Sequence, residues 1–124
     1  MRVIIILNEH DYTVSFKDDD MQYDHTIYDE NGIYHHVWFK NYEYNLMFLK
    51  DLEHRGEALK KLRGYFSVND LMNEMGIPKS IIGQVYGWID DDIIDLNVFS
   101  SINKDFINGF NNCCIMEFDV KRIF

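Results

Sequence analysis

The chain is poor in the residues that interrupt or cross-link a fold. Its 124 residues include a single proline, Pro78, and two cysteines, which are neighbours, Cys113 and Cys114. Adjacent cysteines on a strand point to opposite faces, and a disulfide between them is strained. A disulfide-stapled extracellular scaffold is therefore disfavoured, and we expect reduced thiols in a cytoplasmic protein.

Long apolar runs are also missing from the start of the chain. The run Val3–Leu7 has only five residues. A signal peptide needs a longer apolar segment, and a membrane-spanning helix needs about 20 such residues. We therefore expect a soluble protein that has no membrane partner.

Basic residues are scarce relative to acidic ones. The chain carries 12 Lys and Arg against 21 Asp and Glu, for a formal net charge of −9. Nucleic acid repels such a chain unless basic residues segregate on one face. The basic residues that do cluster alternate with acids, which indicates a solvated helix face: Arg55, Lys60, Lys61 and Arg63. This pattern disfavours nucleic acid as a partner.

Apolar and aromatic residues are abundant, which predicts a folded globular protein. They include nine Phe, eight Tyr and two Trp. At this length we expect one domain, residues 1–124, with a modest core. Its predicted parts are a β-meander over 1–39, a linking helix over 40–63, and tandem short helices with a β-hairpin over 64–124.

The first third of the chain has the period of strands. Val3–Leu7 is a continuous β-branched and apolar run, which predicts a strand covered on both faces. Apolar residues then alternate over Tyr12–Phe16. Two further runs, Thr26–Tyr28 and Ile33–Phe39, flank Asp29–Gly32, which is a strong hairpin-turn signal. Residues 1–39 are therefore predicted to form a β-meander.

The period becomes helical from about residue 41 to Arg63. The predicted apolar stripe consists of Tyr42, Leu46, Phe48, Leu49, Leu52, Leu59 and Leu62. Gly56 lies inside this pattern and is expected to kink the helix or split it. Two charge pairs at i,i+4 support the helix: Asp51 with Arg55, and Glu57 with Lys61.

Two short helices are predicted next. Ser67 followed by Asp70 predicts a capping box, and Gly76 with Pro78 ends the first helix near residue 75. The second helix begins at Pro78 or Ser80. Its apolar face is Ile81, Ile82, Val85 and Tyr86.

The last part of the chain returns to strand period. Apolar residues alternate over Ile94–Val98 and again over Cys114–Val120, with a loop between them. These segments predict a C-terminal β-hairpin. The expected fold class is α+β, with an N-terminal β-meander, one long helix, two short tandem helices and this hairpin.

The tandem helices also resemble a DNA-binding helix-turn-helix, which gives an alternative function. Gly76 lies where that motif has its turn. However, Met72 occupies a position where a DNA-binding helix-turn-helix usually has a small residue, so that its two helices can approach closely. Gly83 also weakens the second helix by about 1 kcal/mol relative to Ala. That helix has one basic residue, Lys79, where DNA contacts need several. A regulator using residues 67–86 remains the alternative interpretation.

Residues 63–119 resemble a domain of small bacteriophage and prophage proteins. The similar features are the opening Arg-Gly-Tyr-Phe-Ser-Val-Asn-Asp-Leu, the Gly-Ile-Pro turn, and the Ile-Gly-x-x-Tyr-Gly-Trp segment. Two strands follow, ending in an apolar-acid pattern at Met116–Asp119. The resemblance implies a phage-type origin and a bacterial host cytoplasm. It implies no activity.

No motif in the sequence predicts catalysis, a cofactor or a metal. A His25, His35 and Asp24 site is geometrically possible across a hairpin, but structural histidines explain these residues more simply. The Asp18–Asp20 and Asp90–Asp92 runs lack the oxygen spacing of a calcium loop. Nucleophile-elbow, phosphate-loop and Cys-x-x-Cys patterns are all missing. We therefore expect a protein that is not an enzyme.

The remaining prediction is a protein-binding module, a small acidic inhibitor or adaptor that acts on a host or virion protein with a basic surface. Its predicted rim consists of Asp18, Asp19, Asp20, Asp90, Asp91 and Asp92. Its predicted centre is one face of the Ile33–Phe39 strand, made of Tyr34, His36 and Trp38. A leftover apolar face of this kind also permits a homodimer.

Overall fold

The computed structural model describes residues 1–8, 11–18, 22–28 and 41–124 of the chain. These residues form two antiparallel sheets and several helices, which confirms the α+β class. The strands are β1 (Arg2–Leu7), β2 (Asp11–Lys17), β3 (Gln22–Tyr28), β4 (Tyr65–Ser67), β5 (Tyr86–Ile89), β6 (Cys114–Asp119) and β7 (Lys121–Arg122). The α-helices are α1 (Tyr42–Arg63), α2 (Val68–Glu74), α3 (Ile81–Val85) and α4 (Lys104–Ile107), the last preceded by a 3₁₀ turn (Ser101–Asn103).

The larger sheet has the strand order β3-β2-β1-β6, so the predicted meander of β1, β2 and β3 is confirmed. Alternate residues of three strands are buried on one face: Val3, Ile5, Leu7, Tyr12, Val14, Phe16, Cys114, Met116 and Phe118. On the other face Ile4 and Ile6 are half-buried, so β1 is less covered than its apolar run predicts. The predicted strand Ile33–Phe39 lies outside the described residues.

The C-terminal strand is present, but its partner is not the predicted one. β6 pairs with β1, with Met116 opposite Ile5, and so completes the larger sheet. Residues 94–98 form no strand, although Ile94, Leu96 and Val98 are buried as their alternation predicts. The predicted hairpin is wrong because alternation reports burial on one side of an extended segment. It does not specify the partner for the backbone.

Helix α1 runs unbroken over 22 residues, and Gly56 neither kinks nor splits it. A Cβ atom at Gly56 would lie 2.9 Å from Cδ1 of Ile94 and 3.0 Å from Cε2 of Phe66. The glycine therefore leaves room for Ile94 and Phe66 to pack closely against the helix. Leu62 was predicted to lie in the buried stripe but is 81% exposed. The last buried residue of α1 is Lys60.

The two short helices are confirmed, and the smaller sheet packs beside them. Ser67 and Asp70 form the predicted capping box of α2. Helix α3 begins after Ser80, but Tyr86 starts β5 and does not belong to the helix. The smaller sheet has the order β4-β5-β7. Trp88 of β5 packs between Phe66 and Phe118, with ring centroids 5.9 and 5.3 Å away, and so joins this sheet to the main core.

Candidate functional site

Strand register places acidic residues from distant parts of the chain at one end of the larger sheet. Arg2 of β1 lies opposite Lys17 on β2 and opposite Asp119 on β6. Adjacent strands are about 4.8 Å apart, so Asp18, which follows Lys17, lies roughly 10 Å from Asp119. Arg2 bridges within this edge, with Nη1 3.3 Å from Oε1 of Glu117 and Nε 3.7 Å from Oδ1 of Asp119.

A shallow groove of about 290 Å³ continues from this edge to the turn after β5. It is lined by Gly87, Trp88, Asp92, Ile93, Asp119, Val120 and Lys121. The Nζ atom of Lys121 lies 3.1 Å from Oδ2 of Asp92 and spans the groove. Asp92 of the second predicted acidic run therefore shares this groove with Asp119, which lies at the same sheet edge as Asp18. We call this surface the acidic end: Asp18, Asp90, Asp91, Asp92 and Asp119.

The three aspartates of the turn differ in what their carboxylates do. Oδ2 of Asp92 accepts a hydrogen bond from the Ile89 N–H at 2.9 Å. That hydrogen bond and then the Lys121 ion pair lower the pKa of Asp92 against the opposing effect of burial. Asp90 and Asp91 are exposed, and neither carboxylate bonds another residue that the structure describes. Asp92 is thus a structural residue of the turn, whereas Asp90 and Asp91 are available to a partner.

The segment that follows this turn, residues 92–99, runs antiparallel along α1, and we call it the strap. It ends in a turn that begins at Asn97, whose φ is +59°. Four side chains of α1, one on each successive turn, hold the strap. Lys60 donates to the Asp92 carbonyl, and Glu57 Oε1 accepts from the Ile94 N–H at 2.8 Å. Glu53 Oε2 accepts from the Leu96 N–H at 3.0 Å, and Lys50 lies 5.1 Å over the Phe99 ring. The spacing of the two glutamate bonds fits, because the four residues from Glu53 to Glu57 rise about 6 Å along the helix and the two residues from Ile94 to Leu96 span about 6.6 Å when extended. The helix thus satisfies backbone groups that a neighbouring strand would otherwise satisfy.

The two glutamates that hold the strap have opposite pKa shifts. Burial raises the pKa of Glu53 more than the hydrogen bond from Leu96 lowers it. Burial also acts on Glu57, but hydrogen bonds from Ile94 and Lys60 outweigh it and lower the pKa. Nζ of Lys60 lies 3.0 Å from Oε2 of Glu57, and its side chain is 4% exposed. The predicted solvated charge on this face of α1 is therefore partly buried, and Glu57 pairs with Lys60 where Lys61 was expected.

A second concave surface, the α3 cleft, lies between β4, α3 and residue 124, with a volume of about 620 Å³. Its walls include Tyr65, Ile81, Val85 and Phe124. The Tyr65 and Phe124 rings meet edge to face with centroids 4.9 Å apart. Ile81 is 88% exposed at the rim. Sequence reasoning placed Ile81 on a buried face, because a five-residue helix gives too little periodicity to separate its faces.

The helix-turn-helix interpretation can be compared with the geometry of α2 and α3. The carboxamide of Asn69 donates to the Ser80 carbonyl at 2.8 Å and accepts from the Ser80 N–H at 2.9 Å. Gly83 lies under this clamp, where a Cβ atom would be 2.9 Å from Oγ of Ser80. Because α3 has only five residues, little of it is free to enter a DNA groove. DNA binding through residues 67–86 stays a prediction without a specific observation in its favour.

Several predicted site residues lie outside the described part of the chain. They are Asp19, Asp20, Tyr34, His36, Trp38 and His35. Among the residues that are described, no group of three or more His, Cys, Asp and Glu is arranged to hold a metal ion. Within the same ranges, no helix combines the length and the apolar character that crossing a membrane requires.

The two cysteines have unequal environments. Cys114 is buried in β6, and Cys113 is half-buried. Burial, followed by the neighbouring Cys113, raises the pKa of Cys114 to about 12. A thiol with this pKa stays protonated near neutral pH, and the thiolate is the nucleophilic form. Cys114 therefore acts as a small apolar core residue.

Comparisons with known proteins give a family and no activity. Residues 6–124 match the model described as a family of unknown function (DUF6353), and this range includes every residue of the acidic end and of the α3 cleft. No curated protein and no solved structure matches the chain.

Proposed function

The chain belongs to a family of unknown function (DUF6353), and from its own surface we propose that it is a non-enzymatic protein-binding module whose acidic end docks a basic surface of another protein. The observation that carries the proposal is the register of β1, β2 and β6. It brings Asp18 and Asp119, about 100 residues apart in sequence, to one edge of the larger sheet, and the groove beside Asp119 continues to Asp92.

Charge at this surface suits recognition of a basic partner. The carboxylates outnumber the cations Arg2, Lys17 and Lys121 around it. Opposite fields speed diffusional encounter and exclude partners of the wrong charge. Ile93, which is 79% exposed beside the turn, supplies apolar contact next to the carboxylates of Asp90 and Asp91. Interfaces combine an apolar centre and a polar rim in this way.

The kind of partner follows from the phage-type resemblance of residues 63–119. On that basis we propose a small acidic inhibitor or adaptor that acts on a host or virion protein in a bacterial cytoplasm. Tyr34, His36 and Trp38 remain the proposed aromatic contacts, together with Asp19 and Asp20 at the rim.

An affinity pull-down from bacterial lysate, with and without nuclease, identifies the partner. Association rates are then measured against salt for the wild type and for Asp90→Asn/Asp91→Asn. Asn is chosen because Asp90 has a φ of +52°, a conformation that Asn tolerates. The matched control, Asp51→Asn/Asp105→Asn, removes the same charge from other surfaces.

We expect the turn variant to associate more slowly and with a flatter salt dependence than the control. Equal association rates for both double variants would show that the acidic end is not part of the interface. Nuclease-sensitive capture, with tight binding to duplex DNA and no protein partner, would replace this proposal with the helix-turn-helix alternative.

A further inference from the structure

Charge around the α3 cleft has the opposite sign to that of the whole chain. Three cations surround it. Lys79 lines the cleft, Arg63 lies 4.6 Å over the Tyr65 ring, and Nε of Arg122 donates to the Phe124 carbonyl at 2.7 Å. In a chain with a net charge of −9, this is a local segregation of positive charge.

The acid that lines the cleft is already neutralised. Oδ2 of Asp70 accepts from the N–H and from the hydroxyl of Ser67, each at 2.9 Å. The same oxygen lies 2.8 Å from Nη2 of Arg63. Lys79 makes no hydrogen bond or ion pair with any residue in the described ranges. The cleft therefore offers an uncompensated ammonium beside an apolar wall.

The exposed edge of β4 is closed to an added strand. The Ser67 N–H is bonded to Asp70, and the Tyr65 carbonyl accepts from Nη2 of Arg63 at 3.4 Å. A ligand of this cleft must therefore be recognised through its side chains and not by β-augmentation.

We propose that the α3 cleft binds an acidic peptide segment that carries an apolar side chain. The apolar side chain packs against Ile81, Val85 and the Phe124 ring, and its flanking carboxylates pair with Lys79 and Arg122. The volume of about 620 Å³ lies within the range of ligand sites, about 300–1,000 Å³. Such a ligand has negative charge to pair with the cations around the cleft and an apolar side chain to contact its apolar walls.

A peptide fits this cleft better than another common polyanion, single-stranded nucleic acid. Nucleic acid binds such surfaces by stacking bases on exposed aromatic faces. The Tyr65 ring has Arg63 over one face and the edge-to-face contact with Phe124, so it offers no free stacking platform. Among the other residues that line the cleft, Phe124 is the one further aromatic, Ile81 and Val85 are aliphatic and the rest are polar, so a row of stacked bases has no platform.

This inference uses residues separate from the acidic end, so either proposal can fail alone. If both hold, the molecule has two binding surfaces of opposite charge. Two such surfaces favour an adaptor that bridges a basic protein and an acidic one over an inhibitor with a single target.

The test uses the full chain and fluorescein-labelled hexapeptides. The probe is Asp-Asp-Leu-Phe-Asp-Asp, and the controls are Asp-Asp-Ser-Ser-Asp-Asp, Lys-Lys-Leu-Phe-Lys-Lys and oligothymidylate. We expect fluorescence polarisation to show saturable binding of the probe alone. Lys79→Glu and Ile81→Asp should each weaken it by about tenfold or more. The matched exposed changes Lys104→Glu and Ile102→Asp, and also Asp90→Asn/Asp91→Asn, should leave it unchanged.

Amide chemical-shift mapping on the unmutated protein gives a second readout that requires no variant. The expected shifts lie at Tyr65, Lys79–Val85 and Phe124. Absence of probe binding, equal losses in the matched pairs, shifts elsewhere, or tighter binding of oligothymidylate would each overturn the proposal. Self-association of the wild type that Ile81→Asp abolishes would also overturn it, because the occupant would then be a second copy of the chain.

Discussion

The side chain of Asn103 pairs with the backbone of Ile115 as a neighbouring strand would. Its Nδ2 donates to the Ile115 carbonyl at 2.7 Å, and its Oδ1 accepts from the Ile115 N–H at 2.7 Å. Nδ2 also donates to the Val98 carbonyl at 2.9 Å. One buried carboxamide therefore closes the start of an edge strand, β6, and ties the strap to it. Free edges of this kind otherwise invite pairing with another chain.

Asn103→Ala is expected to lower the free energy of unfolding by about 3 kcal/mol, because it leaves buried backbone groups without partners. Asn103 is 1% exposed, so water cannot easily replace the lost bonds. Urea denaturation measures the loss, with the exposed Asn73→Ala as the control, for which we expect a change within about 0.5 kcal/mol. Similar midpoints for the two variants would mean that the clamp does not stabilise the fold.

Ser67→Ala should destabilise the protein by about 1 kcal/mol, through loss of the α2 cap. The Ser67 hydroxyl accepts from the Asp70 N–H at 3.1 Å and donates to the Asp70 carboxylate. Ser67→Gly should cost less, because glycine is tolerated at an N-cap. Thermal melts of the two variants test this order, and an unchanged midpoint for Ser67→Ala would contradict it.

Local signals predicted local structure well. The sequence predicted the N-cap at Ser67, the end of α2 before Gly76 and the end of the long helix at Arg63. Each of these depends on residues within a few positions of one another. The same holds for the alternation at Ile94–Val98, which reports burial correctly. Its partner was misassigned, since the carboxylates of α1 that hold it resemble ordinary solvated helix charge in sequence.

Sites made of distant residues could be predicted only in part. The acidic runs were evident in the sequence, but the position of Asp119 at the same sheet edge as Asp18 depends on the register of β1 with β6, which no local pattern specifies. The α3 cleft was missed because Tyr65 and Phe124 are far apart in sequence. The only sequence signal for the cleft was a lysine, Lys79, two residues before Ile81. The helical period assigned Ile81 to a buried face, so the cleft was not predicted.

Stability should depend on pH in opposite directions through the two glutamates that hold the strap. The pKa of Glu57 is lowered on folding, so its carboxylate stabilises the native state at neutral pH and this contribution is lost on acidification. The pKa of Glu53 is raised, so its contribution is present below its unfolded pKa and is lost as pH rises through the folded value.

Glu57→Gln should therefore be most destabilising near neutral pH and approach the wild type in acid. Relative to the wild type, Glu53→Gln should become less destabilising as pH rises. Urea midpoints measured from about pH 3 to about pH 7 separate the two trends, since that window spans the ordinary glutamate pKa. Parallel trends for both variants would show that the opposite pKa shifts are not a property of the folded protein.

Gly56→Ala tests whether this helical glycine is retained for space. Alanine has the higher helix propensity, which favours the substitution by about 1 kcal/mol. Against this, the new Cβ would lie 2.9 Å from Cδ1 of Ile94, and overpacking of a core costs about 1–3 kcal/mol. We expect a net loss of stability in urea denaturation.

Ile94→Val removes the Cδ1 atom that the new methyl group would meet, so the two changes form a double-mutant cycle. The cost of Gly56→Ala should be smaller in the Ile94→Val background, with a coupling energy of about 1 kcal/mol. Part of the cost should persist, because Cε2 of Phe66 would still lie 3.0 Å from the new atom. Additive effects of the two substitutions would mean that the strap moves away from α1 to accommodate the methyl group, and its bonds to Glu53 and Glu57 would then be too weak to fix it.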